Sequence, residues 1–200
     1  MKKKVGVLIS GRGSNLEALI AATQTADFPA EIVLVISNKD DAAGLQRAAE
    51  AGIATKIILH PGKTREGFDA ELDVALKRAE VEIICLAGFM RILSDGFTRE
   101  WEGKLINIHP SLLPAYKGVR VHERVIEARE AESGASVHFV VPELDAGPVI
   151  AQGRVPVHAD DSQKTLAARI LDVEHKLYPA ALRLLAEDKV KLEKGLAVFS

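Results

Sequence analysis

An amide side chain and an imidazole stand two residues apart at the end of a short apolar run. Asn107 and His109 alternate with isoleucines there, and Pro110 follows directly. In a strand, alternate side chains face the same side, about 6 to 7 Å apart at roughly 3.3 Å per residue. An amide can donate to an oxygen that gains negative charge, and an imidazole can move a proton near neutral pH. The pair favours acyl transfer, although both groups could instead satisfy backbone atoms of a loop.

A carboxylate in a proline-containing turn is the candidate partner of this imidazole. Asp145 lies in segment 142–148, which begins and ends with proline. If Asp145 lies against His109, its negative charge favours the protonated imidazolium and leaves an acid available near pH 7. Taken alone, an aspartate in such a turn is more often a cap, so a catalytic role depends on its combination with Asn107 and His109.

A glycine-containing segment is the candidate anion site. Residues 10–16 read Ser-Gly-Arg-Gly-Ser-Asn-Leu and join the first predicted strand to the first predicted helix, so backbone N–H groups face an anion at the positive end of the helix dipole. The segment lacks the third glycine of a dinucleotide fingerprint and the Gly-Lys-Ser/Thr of a Walker loop, and it suits a single phosphate monoester. Ser14 and Asn15 would be additional donors. Alternatively, Ser14 and Glu17 have capping-box spacing, which would fix the helix start without a ligand.

These polar groups need a scaffold that brings distant segments together, and the hydrophobic pattern predicts one. Short β-branched runs alternate with longer segments whose apolar residues recur every three or four positions, which is typical of βαβ units. The predicted strands cover residues 5–10, 32–37, 55–59, 82–86 and 104–108, and the predicted helices cover residues 15–23, 42–51 and 65–78. The fold class is therefore α/β, with a doubly wound, mostly parallel sheet that binds ligands at the carboxyl ends of its strands.

The pattern changes after residue 108. It predicts a short helix over residues 122–131, then strands over 136–141 and 149–157 that form an antiparallel or mixed edge of the same sheet. A long helix over 165–187 follows, kinked or broken at Pro179, and residues 189–194 form a tail strand or hairpin. Without a linker or repeat, one domain over residues 1–200 is the economical prediction, with a phosphate-binding half at 1–108 and a catalytic half at 109–200.

Composition narrows the possible functions. The 200 residues are 48% apolar and 27% charged, which describes a globular chain rather than a disordered or membrane-spanning one. A net charge of −2 lacks the basic excess of a general nucleic-acid binder. The single cysteine, Cys85, cannot form an internal disulfide, and it fits a buried position in a reducing cytoplasm. No His/Cys/Asp spacing matches a closed zinc site, and His138 reads as a residue of an apolar strand.

Four segments, taken in this order and spacing, resemble the phosphoribosylglycinamide formyltransferases, a family of formyltetrahydrofolate-dependent enzymes. They are Ser-Gly-x-Gly-Ser-Asn-Leu at 10–16, Ala-Gly-Phe-Met-Arg-Ile-Leu at 87–93, Asn-x-His-Pro-Ser-Leu-Leu-Pro at 107–114 and Asp-x-Gly-Pro at 145–148. The resemblance covers essentially the whole chain. The His-Pro-Ser-Leu-Leu-Pro segment alone marks only the wider superfamily that uses formyltetrahydrofolate.

The resemblance implies a Rossmann-like formyltransferase fold and transfer of a formyl group from 10-formyltetrahydrofolate to glycinamide ribonucleotide in purine synthesis. It implies no metal, nucleic acid or membrane as partner, and a monomer or homodimer. The implied catalytic residues are Asn107, His109 and Asp145. The implied contacts to the phosphate and ribose of the ribonucleotide are Gly13, Ser14, Asn15 and Glu174. The implied folate contacts are Arg65, Met90, Arg91, Ile92, Leu93 and Asn107, although Phe89 and Met90 could equally be ordinary packing.

Two positions depart from the family pattern, and three rival functions fit the sequence less well. Arg120 stands where His, Asp or Asn is more usual, and Leu171 replaces a commonly polar residue, so the resemblance implies no phosphate or ribose contact at these two positions. The methionyl-tRNA formyltransferases are similar in the central segment but have a longer chain with an RNA-binding domain. The formyltetrahydrofolate deformylases carry an additional regulatory domain. A noncatalytic nucleotide or folate sensor would share the scaffold but would not need an acid and an oxyanion donor at one point.

Overall fold

A seven-stranded sheet organises the protein, which a computed structural model describes over all 200 residues. The strand order is β3-β2-β1-β4-β5-β6-β7; the first five strands are parallel, and β6 and β7 are antiparallel to their neighbours. The strands are β1 Lys3–Ile9, β2 Ala30–Ser37, β3 Ala54–Ile57, β4 Ile83–Leu86, β5 Leu105–His109, β6 Glu132–Phe139 and β7 Val149–Pro156. The predicted parallel sheet with an antiparallel edge is confirmed. A separate hairpin of β8 Val190–Glu193 and β9 Leu196–Phe199 follows.

Six helices connect and cover the strands. They are α1 Ser14–Thr23, α2 Ala43–Glu50, α3 Arg65–Arg78, α4 Asp95–Glu100, α5 Val121–Glu127 and α6 Gln163–Ala186. The helix predicted over 122–131 ends earlier, because Arg129 has a φ of 52°, which an α-helix does not allow, and β6 begins at Glu132. None of the six combines the length and the apolar composition that crossing a bilayer would require.

Helix α6 runs through Pro179 without the predicted break. A proline inside a helix removes one backbone hydrogen bond and costs about 3 kcal/mol or more. Buried neighbours on both sides of it offset that cost, because Tyr178, Ala181 and Leu182 are each 0% exposed against the sheet. The Tyr178 hydroxyl also donates to the carbonyls of Leu86 and Ile106, at 3.0 and 3.2 Å. Tertiary packing therefore keeps the helix continuous and attaches it to β4 and β5.

Both faces of the sheet are buried, and this explains the almost continuous apolar sequence of β1. Val7 and Ile9 belong to a core cluster of 26 buried residues that also includes residues of α1 and α6. Leu8, between them, points to the opposite cluster of 15 residues, which includes residues of α3 and α4. A strand covered on both faces cannot shift by one residue without exchanging the two sets of side chains. Cys85 in β4 is fully buried in the first cluster.

Truncating one core residue of α3 tests the contribution of the second cluster. Leu72 is 0% exposed, and Leu72→Ala should lower the free energy of unfolding by about 2 to 5 kcal/mol, because the cavity adds to the lost burial. Val74 in the same helix is 47% exposed, so Val74→Ala should change it by less than about 0.5 kcal/mol. Urea unfolding of both variants measures the difference, and similar values for the two would contradict this description of the core.

Candidate functional site

Three neighbouring strands bring the candidate residues to one edge of the sheet. β1, β4 and β5 are adjacent and parallel, so the segments that follow them leave at the same edge. The glycine loop (residues 11–13) follows β1, and the β4–α4 loop (residues 87–94) follows β4. Asn107 is the third residue of β5, and His109 is its last. Open α/β sheets bind their ligands at such an edge, between neighbouring strand ends.

His109 and Asp145 meet, as their predicted partnership requires. The Nδ1 atom of His109 lies 3.4 Å from Oδ2 of Asp145, and the side chains are 7% and 8% exposed. On the other side of the ring, Nε2 lies 2.9 Å from the carbonyl oxygen of Tyr116. Since a carbonyl only accepts, Nε2 carries a hydrogen and donates it there. Both ring nitrogens therefore face acceptors in a site largely closed to water.

The Asp145 carboxylate is held by a backbone donor and by an uncommon backbone conformation. Its Oδ2 atom accepts a hydrogen bond from the N–H of Gly118 at 2.9 Å. The φ of Asp145 is 47°, in the left-handed region that aspartate tolerates better than most residues but still at a cost. The turn is thus shaped so that this carboxylate reaches both His109 and the backbone before α5.

His138 is a site residue that the sequence analysis missed. It is 2% exposed on β6, directly opposite Asn107 on β5, and its Nε2 lies 3.2 Å from the Asn107 Nδ2 atom. Its Nδ1 lies 2.7 Å from the carbonyl oxygen of Phe139, so Nδ1 carries the hydrogen and Nε2 accepts from the Asn107 amide. Burial is the main cause that lowers the pKa of His138, which favours this neutral form. The available signal was one polar residue inside an otherwise apolar, buried strand.

A cleft with a volume of about 590 Å³ opens beside these residues. Its lining combines the β5 end, the β4–α4 loop and the segments before α5 and around Asp145. The predicted site residues among the lining are Met90, Arg91, Ile92, Leu93, Asn107, His109 and Asp145. Several apolar side chains here remain open to water: Met90 is 75% exposed, Ile92 54% and Leu144 53%. Such a concave, mostly apolar surface with a few convergent polar groups is typical of a small-molecule site.

Arg65 lies outside this lining, at the first position of α3. It is connected to the cleft only indirectly, because the carbonyl of the preceding Thr64 accepts from the Arg91 guanidinium at 3.4 Å. Arg120, by contrast, lines the cleft with a φ of 54° and a side chain 74% exposed, 3.6 Å from Glu123. Leu171 is half-buried in α6, three residues before Glu174. The structure therefore places Arg120, but not Arg65, at the wall of the cleft.

The glycine loop opens α1 without the capping box. Gly13, with φ 76° and ψ 28°, is the N-cap, and no side chain caps the helix. Ser14 is already helical, and the Glu17 carboxylate pairs with Arg47 instead of reaching back. The capping-box interpretation of Ser14 and Glu17 is therefore wrong. A Cβ atom at Gly13 would lie 2.7 Å from the Gly44 Cα atom, so both the dihedral angles and the contact with α2 require glycine.

Asn15 and Glu174 form a buried pair although they are far apart in the chain. The Asn15 amide donates to a Glu174 oxygen at 2.7 Å, and the two residues are 9% and 7% exposed. Burial raises the pKa of Glu174, and the hydrogen bond from Asn15 partly opposes this shift. The Asn15 side-chain oxygen is buried without a partner. The predicted ribonucleotide contacts on α1 and α6 thus meet, leaving one acceptor unsatisfied beside the glycine loop.

No cluster of three or more His, Cys, Asp or Glu side chains is arranged to hold a metal ion.

Comparison with known proteins defines the class of this fold and site. Residues 3–182 match the formyl transferase family, so the chain belongs to that family, as its motifs predicted. It is 45% identical to the phosphoribosylglycinamide formyltransferase of Escherichia coli strain K12 over 192 residues, which cover 96% of this chain and 91% of that protein.

Longer relatives and a solved structure agree. The chain is 50% identical over 192 residues to the trifunctional purine biosynthetic protein adenosine-3 of Bos taurus, but it spans only 19% of that protein's length. The crystal structure of glycinamide ribonucleotide transformylase 1 from Symbiobacterium toebii matches with a TM-score of 0.95 and 38% identity, covering 99% of this chain and 94% of that one. These similarities confirm the predicted fold class.

A methyl group at Gly147 tests the turn that carries Asp145. The Cβ atom of an alanine there would lie 1.7 Å from the Phe139 carbonyl oxygen, so the turn would have to move away from β6. Gly147→Ala should lower the free energy of unfolding by about 3 kcal/mol, the upper range for overpacking. Gly96→Ala is the matched control, because nothing lies closer than 4.0 Å to that position. Urea unfolding decides, and equal stability of the two variants would show that the turn is not packed as described.

A glutamine at position 174 tests the buried carboxyl. An unfolded glutamate ionises above a pKa of about 4.3, whereas burial holds the proton on Glu174 to higher pH. The native state then binds more protons than the unfolded state, so this group lowers stability as the pH rises through that window. Glu174→Gln keeps an acceptor for Asn15 and removes the titration. Thermal melts at a series of pH values should show its melting temperature rising relative to that of the wild type as the pH is raised above about 4.3, because only the wild type loses stability through this titration.

Glu127→Gln serves as the control for this experiment, since Glu127 is exposed at the end of α5. Its melting temperature should equal that of the wild type at every pH. A Glu174→Gln variant whose melting temperature shows no additional pH dependence relative to the wild type would contradict the burial of an ionisable group there.

Proposed function

We propose that this protein transfers the formyl group of 10-formyltetrahydrofolate to the amine of glycinamide ribonucleotide. The products are the formylated ribonucleotide and tetrahydrofolate. The observation that carries the proposal is the convergence of an amide, an imidazole and a carboxylate on one apolar cleft, which Asn107, His109 and Asp145 all line. The similarity to the Escherichia coli enzyme over almost its whole length supports the choice of substrates.

The proposed reaction is an acyl transfer in which positioning and electrostatics lower the barrier. The substrate amine attacks the formyl carbon, a new C–N bond forms, and negative charge develops on the formyl oxygen. Asn107 and His109 stabilise that oxygen. The bond from the carbon to the folate nitrogen then breaks. The amine loses one proton, and the departing folate nitrogen gains one, so the protons balance. No metal takes part in these steps.

The contacts of His109 support different tasks for its two nitrogens. Nε2 donates to the Tyr116 carbonyl, so Nδ1, on the Asp145 side, is the nitrogen that serves the reacting groups. Its separation of 3.4 Å from Asp145 is longer than the roughly 2.7 to 2.9 Å of a charge-assisted hydrogen bond. An oxygen or a water of the reaction can therefore compete for that proton. In the proposed step Nδ1 carries this proton, and the Asp145 carboxylate faces the ring from the same side.

The ribonucleotide would bind at the glycine loop and its neighbours. The loop N–H groups and the start of α1 suit a phosphate monoester, and Gly13, Ser14 and Asn15 are proposed to hold it. Glu174, placed against Asn15, is proposed to contact the ribose. The unpartnered Asn15 oxygen supplies a further acceptor for a ribonucleotide hydroxyl or amine.

The folate would occupy the cleft. The β4–α4 loop supplies an apolar wall and backbone polar groups for a flat heteroaromatic ring, and the proposed contacts are Met90, Arg91, Ile92, Leu93 and Asn107. Arg65 would act outside the cleft, where its charge attracts the glutamate carboxylates of the folate tail. A single domain over residues 1–200, a cytoplasmic location and a monomeric or homodimeric state stay predictions.

An assay with purified protein, 10-formyltetrahydrofolate and glycinamide ribonucleotide tests the proposal by following tetrahydrofolate spectrophotometrically. Product should form only when both substrates are present. Tetrahydrofolate release without the ribonucleotide would indicate a deformylase instead. Binding of both molecules without turnover would indicate a noncatalytic sensor.

Removing either polar group should abolish most of the turnover without unfolding the protein. Loss of one oxyanion donor costs about 100- to 1000-fold in kcat, so Asn107→Ala and His109→Ala should each lose that much. His158→Ala is the matched control, because His158 is exposed in a loop before α6. Steady-state kinetics with circular dichroism as a folding check make the comparison. A near-normal kcat in either site variant would refute the assigned roles.

A further inference from the structure

Ser10 lies between the two loops that bind the two substrates in the proposed function. It follows Ile9, the last residue of β1, and it directly precedes the glycine loop. Its side chain does not extend toward solvent, since the residue is only 6% exposed. Instead, its hydroxyl oxygen accepts a hydrogen bond from the backbone N–H of Met90, in the middle of the β4–α4 loop, at 2.8 Å. One residue thus joins the two loops.

The direction of each hydrogen bond around Ser10 is determined by chemistry. A backbone N–H can only donate, so the Ser10 hydroxyl accepts from Met90 and sends its own hydrogen elsewhere. That hydrogen goes to the side-chain oxygen of Asn38, at 2.6 Å. Asn38 is 2% exposed after the end of β2, and its amide nitrogen lies 3.3 Å from Nδ1 of His60. The hydroxyl therefore has one partner on each side, of which Asn38 is buried, and one favoured orientation.

The β4–α4 loop is also held from the opposite side, by α3. Phe89 stacks on Phe68 with ring centroids 6.3 Å apart, and the Arg91 guanidinium lies 4.6 Å from the Phe68 ring centroid. The Ser94 N–H donates to the Asp69 carboxylate at 2.6 Å. These contacts fix the loop relative to α3. Ser10 is the contact that fixes it relative to the glycine loop.

We propose that Ser10 is a positioning residue that sets the β4–α4 loop against the glycine loop. This inference rests on the proposed function, because the two loops are the folate side and the ribonucleotide side of the same reaction. Ser10 acts through the Met90 amide rather than on a reacting atom. Without the hydroxyl, that amide loses its acceptor, and the middle of the loop is no longer hydrogen-bonded to Ser10, while the Ala87 N–H at the start of the loop still donates to the Leu8 carbonyl of β1.

Ser10→Ala tests this proposal, and the chain offers a closely matched control. Ser37 is 0% exposed at the end of β2, and its hydroxyl bonds only within its own turn, to the backbone of Lys39 at 2.7 and 3.0 Å. Ser37→Ala therefore makes the same chemical change in an equally buried strand end without touching either loop. Asn38→Ala, which removes the acceptor of the Ser10 hydrogen, is the second test variant.

The measurements are the KM for each substrate, kcat, the melting temperature, and the Kd of 5,8-dideazafolate, which carries no formyl group to transfer. Ser10→Ala should raise the KM for 10-formyltetrahydrofolate and the Kd of 5,8-dideazafolate by about 3- to 10-fold, the effect of one net hydrogen bond. kcat should change less. Asn38→Ala should shift both constants in the same direction, and Ser37→Ala should leave them at wild-type values.

The proposal is overturned if folded Ser10→Ala binds 5,8-dideazafolate as tightly as the wild type, or if Ser37→Ala weakens binding equally. Should Ser10→Ala fail to fold, Asn38→Ala decides by the same criteria. A wild-type protein that binds 5,8-dideazafolate but transfers no formyl group would refute the proposed function, while the comparison of the two serine variants would still decide the role of Ser10.

Discussion

The site depends on one constraint of the sheet: β1, β4 and β5 are neighbours, parallel, and buried on both faces. Two-sided burial fixes the register of each strand, because a shift by one residue would exchange the side chains that face the two cores. With the register fixed, the glycine loop, the β4–α4 loop and the Asn107–His109 pair must leave the sheet side by side. The antiparallel pairing of β6 with β5 then places His138 opposite Asn107 and sends the chain into the turn of Asp145.

Much of this arrangement is predictable because it follows from local pattern. Apolar runs and helical periodicity predict the five strands of the first half and three of its four helices to within a few residues, because burial on one or two faces selects the residue types. The six-residue α4 is not predicted. The alternation of Asn107 and His109 predicts that they share a side, and the general behaviour of parallel sheets predicts which edge they occupy. The motifs add the family, which the sequence similarities confirm.

The differences arise where a distant contact outweighs a local signal. Ser14 and Glu17 have the spacing of a capping box, but Arg47 of α2 takes the Glu17 carboxylate, and Gly13 in the left-handed conformation becomes the cap. Pro179 carries a local signal to end a helix, but the packing of α6 on the sheet outweighs it. Contact between His138 and Asn107 depends on strand register, which residue spacing alone does not contain.

The single thiol of the chain has a consequence for handling the molecule. Burial raises the pKa of Cys85 to about 12, and thiolate is the form that reacts with alkylating reagents and oxidants. Native protein should therefore be inert to both, and modification has to wait until the central strand separates from its neighbours. The rate at which this sulfur is labelled under mild conditions therefore measures how often the native structure opens globally, and no introduced probe is needed.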